Sequence, residues 1–223
     1  MTGDKHLPQI PLPTLKRLPV YYQYLARQSR KGVASISCAS IASAMGLGAV
    51  QVRKDLQYTS AVGRPKTGYQ LKDLLAALEE TLGYNNKTEM FLIGVGSLGR
   101  ALLHHNQFGD YNIGIAAAFD VNPDVIGTEI NDKPVLPLSK FPSLCRRMHV
   151  KFGVLCVPAE EAQTVADLMV SSGIEGIWNF APITLDVPET VIVHNENLTA
   201  SLSILLNKYK EASVNKRAEH LSL

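Results

Sequence analysis

The sequence predicts an α/β protein in two parts, a basic helical module followed by a doubly wound parallel sheet, and three observations predict it. Residues 90–120, MFLIGVGSLGRALLHHNQFGDYNIGIAAAFD, hold an apolar strand run, a full G-x-G-x-x-G over Gly94–Gly99, a helical stretch and a second apolar run. That second run ends in Asp120, 21 positions after Gly99. Beyond it, strand-like runs alternate with helical patterns, the order of a parallel sheet. Ahead of it, two short helical patterns meet at a glycine-bearing turn and lead into a glycine-punctuated basic loop, the outline of a winged helix-turn-helix.

Composition narrows the class. With 46% hydrophobic and 19% charged residues in 223, the chain reads as an ordinary soluble globular protein with room for two domains. No apolar run approaches ~20 residues, so no membrane span is expected, and MTGDKHLPQIPLP lacks the apolar core of a secretion signal. Cys38, Cys145 and Cys156 are scattered, which points to reduced cytoplasmic thiols and away from a zinc site or disulfide framework. The net charge of +2 is unevenly spread. Residues 1–85 carry 11 Lys/Arg against 5 Asp/Glu, and residues 86–210 carry 9 against 13. A basic first third suits a polyanion partner, although a solvated surface has the same balance.

In the first domain, 1–85, a Pro-rich arm over residues 1–12 precedes a helix over Leu15–Ala26, with Leu15, Leu18, Tyr22 and Leu25 on one side and Pro19 as kink or start. Ser37 caps a second helix that runs to Met45 and stops at Gly46. A third helix begins near Ala49. As a recognition helix it would offer Gln51, Arg53, Lys54 and Gln57 to duplex DNA. Arg64 and Lys66, in the loop VGRPKTGY, would meet the phosphates. Gln70–Leu82 is an amphipathic helix closed by Gly83, and Tyr84–Lys87 is the linker.

The second domain, 86–195, opens on the glycine motif. Gly94 permits the tight turn, Gly96 lets a pyrophosphate approach the backbone, and Gly99 lets helix and strand pack closely. Val95, Ser97 and Leu98 complete the loop and the helix start, whose free N–H groups face the phosphates. Asp120 would accept from both adenosine ribose hydroxyls and repel a 2′-phosphate, favouring NAD(H). The helix should run through Phe108, with a later helix over Ser139–Arg147 capped by Ser139. Strand runs at Val154–Val157 and Gly176–Phe180 bring Val157, Pro158, Asn179 and Phe180 to the carboxyl ends of the strands, where ligand should sit. A last helix within 196–210 carries a leucine stripe that packs on its own domain or on another subunit, and 211–223 reads as a frayed tail.

Taken together, the chain resembles the Rex family, NADH-sensing redox repressors of bacteria, over nearly all of residues 9–207. The resemblance rests on Lys16–Pro19 with Tyr21-Tyr22, Val52–Leu56 with Tyr58, Gly68-Tyr69, Gly94–Gly99, Phe119-Asp120, Val157–Ala159, Asn179–Pro182 and Leu198–Leu202. It implies a homodimer with a swapped last helix, a palindromic double-stranded operator, release by NADH, and weak competition by NAD+. It also implies a switch at Arg17, His105 and residue 197, where the family has Arg, Tyr and an Asp that pairs with the Arg. This chain has His105 and Asn197 instead, and Gln57-Tyr58-Thr59-Ser60 in place of Ser-Tyr-Phe-Gly. An Arg–Asn bond is weaker than an Arg–carboxylate pair, so a differently poised equilibrium is expected. The rival reading is an NAD-dependent dehydrogenase with a fused basic domain. Of its histidines, His104 and His105 follow the phosphate-binding helix start, His149 precedes a strand, and His194 has no orienting partner visible in the sequence. Neither catalysis nor a metal is expected.

Overall fold

A computed structural model describes residues 9–65 and 67–221, and the chain divides into two units, Met1–Lys87 and Thr88–Leu223. Lys66 and residues 1–8 lie outside the described residues.

In the first unit, helix α1 (Leu12–Arg30) begins ahead of the periodic pattern, because the first turn has no use for the amide that Pro13 lacks. Pro19 lies inside α1 and does not start it, leaving the Leu15 carbonyl without its helical donor. The buried face is Thr14, Leu18, Tyr21, Tyr22 and Leu25, while Leu15 turns outward, against expectation. The strand β1 (Ser35–Ile36) leads to α2 (Cys38–Met45), where Ser37 Oγ accepts from the Ser40 amide at 3.0 Å. Gly46, at φ +65°, ends that helix as expected. Then come α3 (Ala49–Leu56), β2 (Tyr69–Gln70), antiparallel to β1, and α4 (Leu71–Leu82). Leu18, Leu25, Ile41, Val52, Leu56, Leu74 and Leu78 fill the space between the helices and are fully buried. The wing is closed at its base by a pair of backbone bonds between Arg64 and Gly68, 2.7 and 2.9 Å. Gly68 is required there: its φ is +77°, and a Cβ would run into the Ile36 carbonyl.

The second unit runs β3 (Thr88–Ile93), α5 (Ser97–Leu103), β4 (Ile113–Asp120), β5 (Glu129–Ile130), β6 (Lys133–Pro137), α6 (Phe141–Met148), β7 (Phe152–Leu155), α7 (Ala159–Ser171), β8 (Gly176–Asn179), β9 (Ile192–Asn195) and α8 (Leu198–Leu221). The strand order is β5-β6-β4-β3-β7-β8-β9, parallel from β6 to β9 with β5 antiparallel at the edge. One sheet face packs Phe91, Phe119 and Phe141 edge to face, ring centroids 5.1–5.9 Å apart, beneath Val165 and Met169 of α7. The other packs Leu92, Ile115, Val135 and Val154 against Leu103.

Three boundaries differ from the sequence expectation. Helix α5 stops at Leu103, and a 3-10 turn over Asn106–Tyr111 takes the place of its last residues, ended by Asn112 in the left-handed region. Ser139 is not a cap: it lies in a 3-10 turn over Leu138–Lys140, and Lys140 holds the cap position of α6. Helix α8 continues to Leu221, through the segment expected to fray.

Candidate cofactor cleft and nucleic-acid interface

The sheet reverses its winding between β3 and β7, and this is where an α/β sheet opens a crevice at its carboxyl end. A cleft of about 520 Å³ lies there, lined by Gly94, Val95, Gly96, Asp120, Val157 and Pro158 together with Asn122, Val125, Glu161 and Thr164. Gly94 and Gly99 have the local geometry the sequence predicts. Gly94 sits at φ +96° with its α-carbon against the Cys156 carbonyl, so a side chain fits neither the backbone nor the space. A Cβ at Gly99 would strike the Gly94 carbonyl, which closes helix onto strand. Over Gly96 nothing lies within 4 Å, leaving room for a pyrophosphate. Gly96, Ser97 and Leu98 are exposed at the start of α5.

Asp120 does more than the sequence suggests. Its carboxylate accepts the backbone N–H of Val95 at 2.6 Å, of Val121 at 2.7 Å and of Asn122 at 2.9 Å. A carboxylate has about four acceptor positions. Asp120 therefore braces the glycine loop and keeps about one position for a ribose hydroxyl, where two were expected. Asn122, Glu161 and Thr164 were missed, since they fall in no motif and reach the cleft only through the fold. Asn179 is fully buried, and its Nδ2 donates to the carbonyls of Ala181 and Ile183 and to Asn195 Oδ1 while its Oδ1 accepts the Ala181 amide. It shapes the loop after β8. Phe180 packs against Trp178 at 4.7 Å with the rings tilted 52°, Trp178 meets Phe108 at 6.0 Å, and Phe108 meets His105 at 4.7 Å. Neither Asn179 nor Phe180 lines the glycine-loop cleft. Trp178 Nε1 donates to Glu196 Oε1 at 3.1 Å, and His194 Nε2 lies 3.3 Å from the same oxygen. Burial pushes the Cys156 thiol, on the cleft wall, up to about 12, so it stays protonated and unreactive.

In the first unit, α3 buries Val52, Asp55 and Leu56 and exposes Val50, Gln51, Arg53, Lys54 and Gln57. Gln57 is the helix's C-terminal cap residue, and Thr59 Oγ1 donates to the Leu56 carbonyl at 2.7 Å. Arg53 and Arg64 both line a groove between α3 and the wing that Ser37, Cys38 and Tyr69 also line. Val50 is 67% exposed in the first turn, an apolar side chain the packing leaves unused.

Beneath that surface Asp55, 1% exposed, accepts Thr14 Oγ1 at 2.9 Å, Arg17 Nε and Nη2 both at 2.7 Å, Tyr21 Oη at 2.7 Å and Gln51 Nε2 at 3.0 Å. Burial alone would raise its carboxyl, but the hydrogen bonds from Arg17, Tyr21, Thr14 and Gln51 outweigh it and hold the group at about 2. The same pairing pushes the Arg17 guanidinium further above its ordinary range. Asp55 falls within the Val52–Leu56 motif, but its anchoring role has no signal in the spacing, since packing is what turns it inward. Asn197 Oδ1 accepts the Ala200 amide at 2.8 Å and so caps α8.

Residues 9–57 match a family model described as putative DNA-binding protein N-terminus, and residues 85–183 match one described as CoA binding domain. A redox-sensing transcriptional repressor Rex from Porphyromonas gingivalis is 44% identical over 202 residues, 91% of this chain and 93% of that protein. The Bacteroides fragilis protein of the same name is 40% identical over 200 residues, 90% of this chain and 91% of its own length. This chain belongs to the Rex family. Its fold agrees with that of RSP, a Rex-family repressor, at a TM-score of 0.84 and 31% identity over 95% of this chain and 99% of RSP. RSP with β-NAD+ and operator DNA matches at 0.85 and 32% over 95% and 97%, and RSP with β-NADH at 0.82 and 32% over 93% and 98%. Among the described residues of this Rex-family chain, no helix is long and apolar enough to cross a membrane.

Proposed function

We propose that the chain is a cytoplasmic, homodimeric repressor that binds a palindromic operator and is released by NADH, so that occupancy of the operator follows the NADH/NAD+ ratio. The observation that carries this is the pairing of an open glycine-loop cleft at the sheet's reversal point with an exposed basic recognition helix and wing in one chain. The glycine loop over Gly94–Gly99 would hold the pyrophosphate of NADH or NAD+, Asp120 one ribose hydroxyl, and Val157 and Pro158 the opposite wall. Asn179 and Phe180 take the place of loop-shaping residues beside this site. NADH supplies a nicotinamide with no ring charge where NAD+ carries one, a difference that an apolar surround such as Phe108, Trp178 and Phe180 discriminates. A ligand shifts a two-state protein only by its differential affinity for the two states.

Leu202, Ile204, Leu205, Leu206 and Tyr209 of α8 are each more than half exposed in the single chain. That apolar surface favours docking on a second copy over packing on its own domain, and twofold symmetry would match a palindrome. Arg17 acts on DNA binding through Asp55, within its own unit. Asn197 starts α8, and His105 faces Phe108 at the turn after α5. DNA titrations of Asn197→Asp with and without NADH test whether residue 197 poises the switch; curves identical to the native ones end that idea. Catalysis is not part of the proposal: His194 pairs with a glutamate that Trp178 also holds. A gel shift on a palindromic duplex, with NADH and NAD+ added separately, tests the whole. Loss of the shifted band with NADH and its persistence with NAD+ is expected, and equal binding under both overturns the reading.

A further inference from the structure

Gln51 stands exposed in the first turn of α3, and its Nε2 donates to Asp55 Oδ1 at 3.0 Å. An ionised carboxylate only accepts, so the amide cannot be turned over: the nitrogen must face Asp55 and Oε1 must face away. Asp55 is itself immobilised by Thr14, Arg17 and Tyr21 from α1. The Gln51 amide is thus preset before any partner arrives, with Oε1 as acceptor and the second N–H of Nε2 as donor. Among base edges in the major groove, adenine offers the matching donor at N6 and acceptor at N7, whereas guanine offers two acceptors there. Position along the helix agrees. Early residues of a recognition helix reach base edges, while Gln57 lies six residues on, about 9 Å along the axis, and Arg53 lines the groove toward the wing.

Resting on the DNA-binding reading of α3, we propose that Gln51 selects adenine at one position of each half-site and that Asp55 is the positioning residue that sets its amide. The test starts with the native full-length chain and a random-sequence duplex pool. Affinities are then measured for the selected duplex and for duplexes substituted symmetrically at each base. The native chain should disfavour every replacement of one adenine per half-site by about 5- to 100-fold. Gln51→Leu keeps the volume on an exposed face, and it should accept all four bases there with the salt dependence unchanged. Asp55→Asn should lose preference at that same position and no other, and should add nothing there in the Gln51→Leu background. Thr14→Val should lower the melting temperature and leave base preference intact. Without reference to how Asp55→Asn folds, one of the two Gln51 amide protons in the free native chain should exchange with solvent measurably more slowly than the other. Adenine preference retained in Gln51→Leu overturns the base-reading role, and equal exchange of the two protons overturns the positioning role. A native chain that selects no sequence from the pool overturns the DNA-binding reading itself.

Discussion

In the DNA-binding unit the Asp55 carboxylate gathers its hydrogen bonds from side chains on α1 and α3, whereas in the dinucleotide unit Asp120 gathers its own from backbone N–H groups of two adjoining loops. Both acids sit where a functional surface needs bracing, and the means differ. Asp55 ties together elements 34–41 residues apart, so it exists as an anchor only once helices pack. Asp120 ties a loop that the strand–glycine–helix sequence already brings to it. Loss of the first should loosen a domain; loss of the second should loosen a loop.

The largest expected effect breaks the first anchor. Asp55→Ala strands the Arg17 charge and the Tyr21 hydroxyl, and should cost the first unit about 3 kcal/mol. Calorimetry should show one transition falling while NADH affinity, followed by fluorescence, holds. Gly96→Val adds bulk where nothing lies within 4 Å, so the fold should survive while NADH affinity falls about 100-fold. In a gel shift that variant should bind operator and ignore NADH. A fall in melting temperature as large as that of Asp55→Ala would contradict the assignment of Gly96 to ligand approach.

Acid separates the anchors further. Asp55 is held at about 2, below the ordinary 3.8. Its contribution is complete above pH 3.8 and is lost as pH falls through 2, about 2 kcal/mol in all. Denaturant melts of the first unit between pH 5 and pH 2 should show that slope, and Asp55→Asn should remove it. Asp120→Asn is the smallest expected change. The new amide can still accept through one oxygen but sets a donor against a backbone N–H, costing about 1 kcal/mol. NADH affinity should drop several-fold and the melting temperature by only a few degrees; an unchanged affinity would place Asp120 outside the cofactor site.

Much of this was legible in the residues. Ser37 as cap, Gly46 and Gly83 as stops, and the close approach of Gly99 to Gly94 all rest on interactions within a few residues, which local pattern encodes. Helix α5 ends earlier than its spacing predicts because apolar spacing continues past the point where backbone geometry turns: Leu103 and Phe108 both face apolar partners, yet a 3-10 turn carries the second. Lys66 was named with Arg64 as a phosphate contact and lies outside the described residues.

Residue order alone carries the two-part α/β plan, the glycine loop with Asp120, and the adjacent cations Arg53 and Lys54 on α3, because each is a short-range pattern with a fixed geometric meaning. Packing is what turns Asp55 inward to meet Arg17, brings Asn122, Glu161 and Thr164 into a cleft with the glycines, and makes Asn179 the support of a loop. Those facts depend on residues distant in the chain meeting inside a packed interior, where a buried polar group must find its partners, and no linear pattern states which ones it will find.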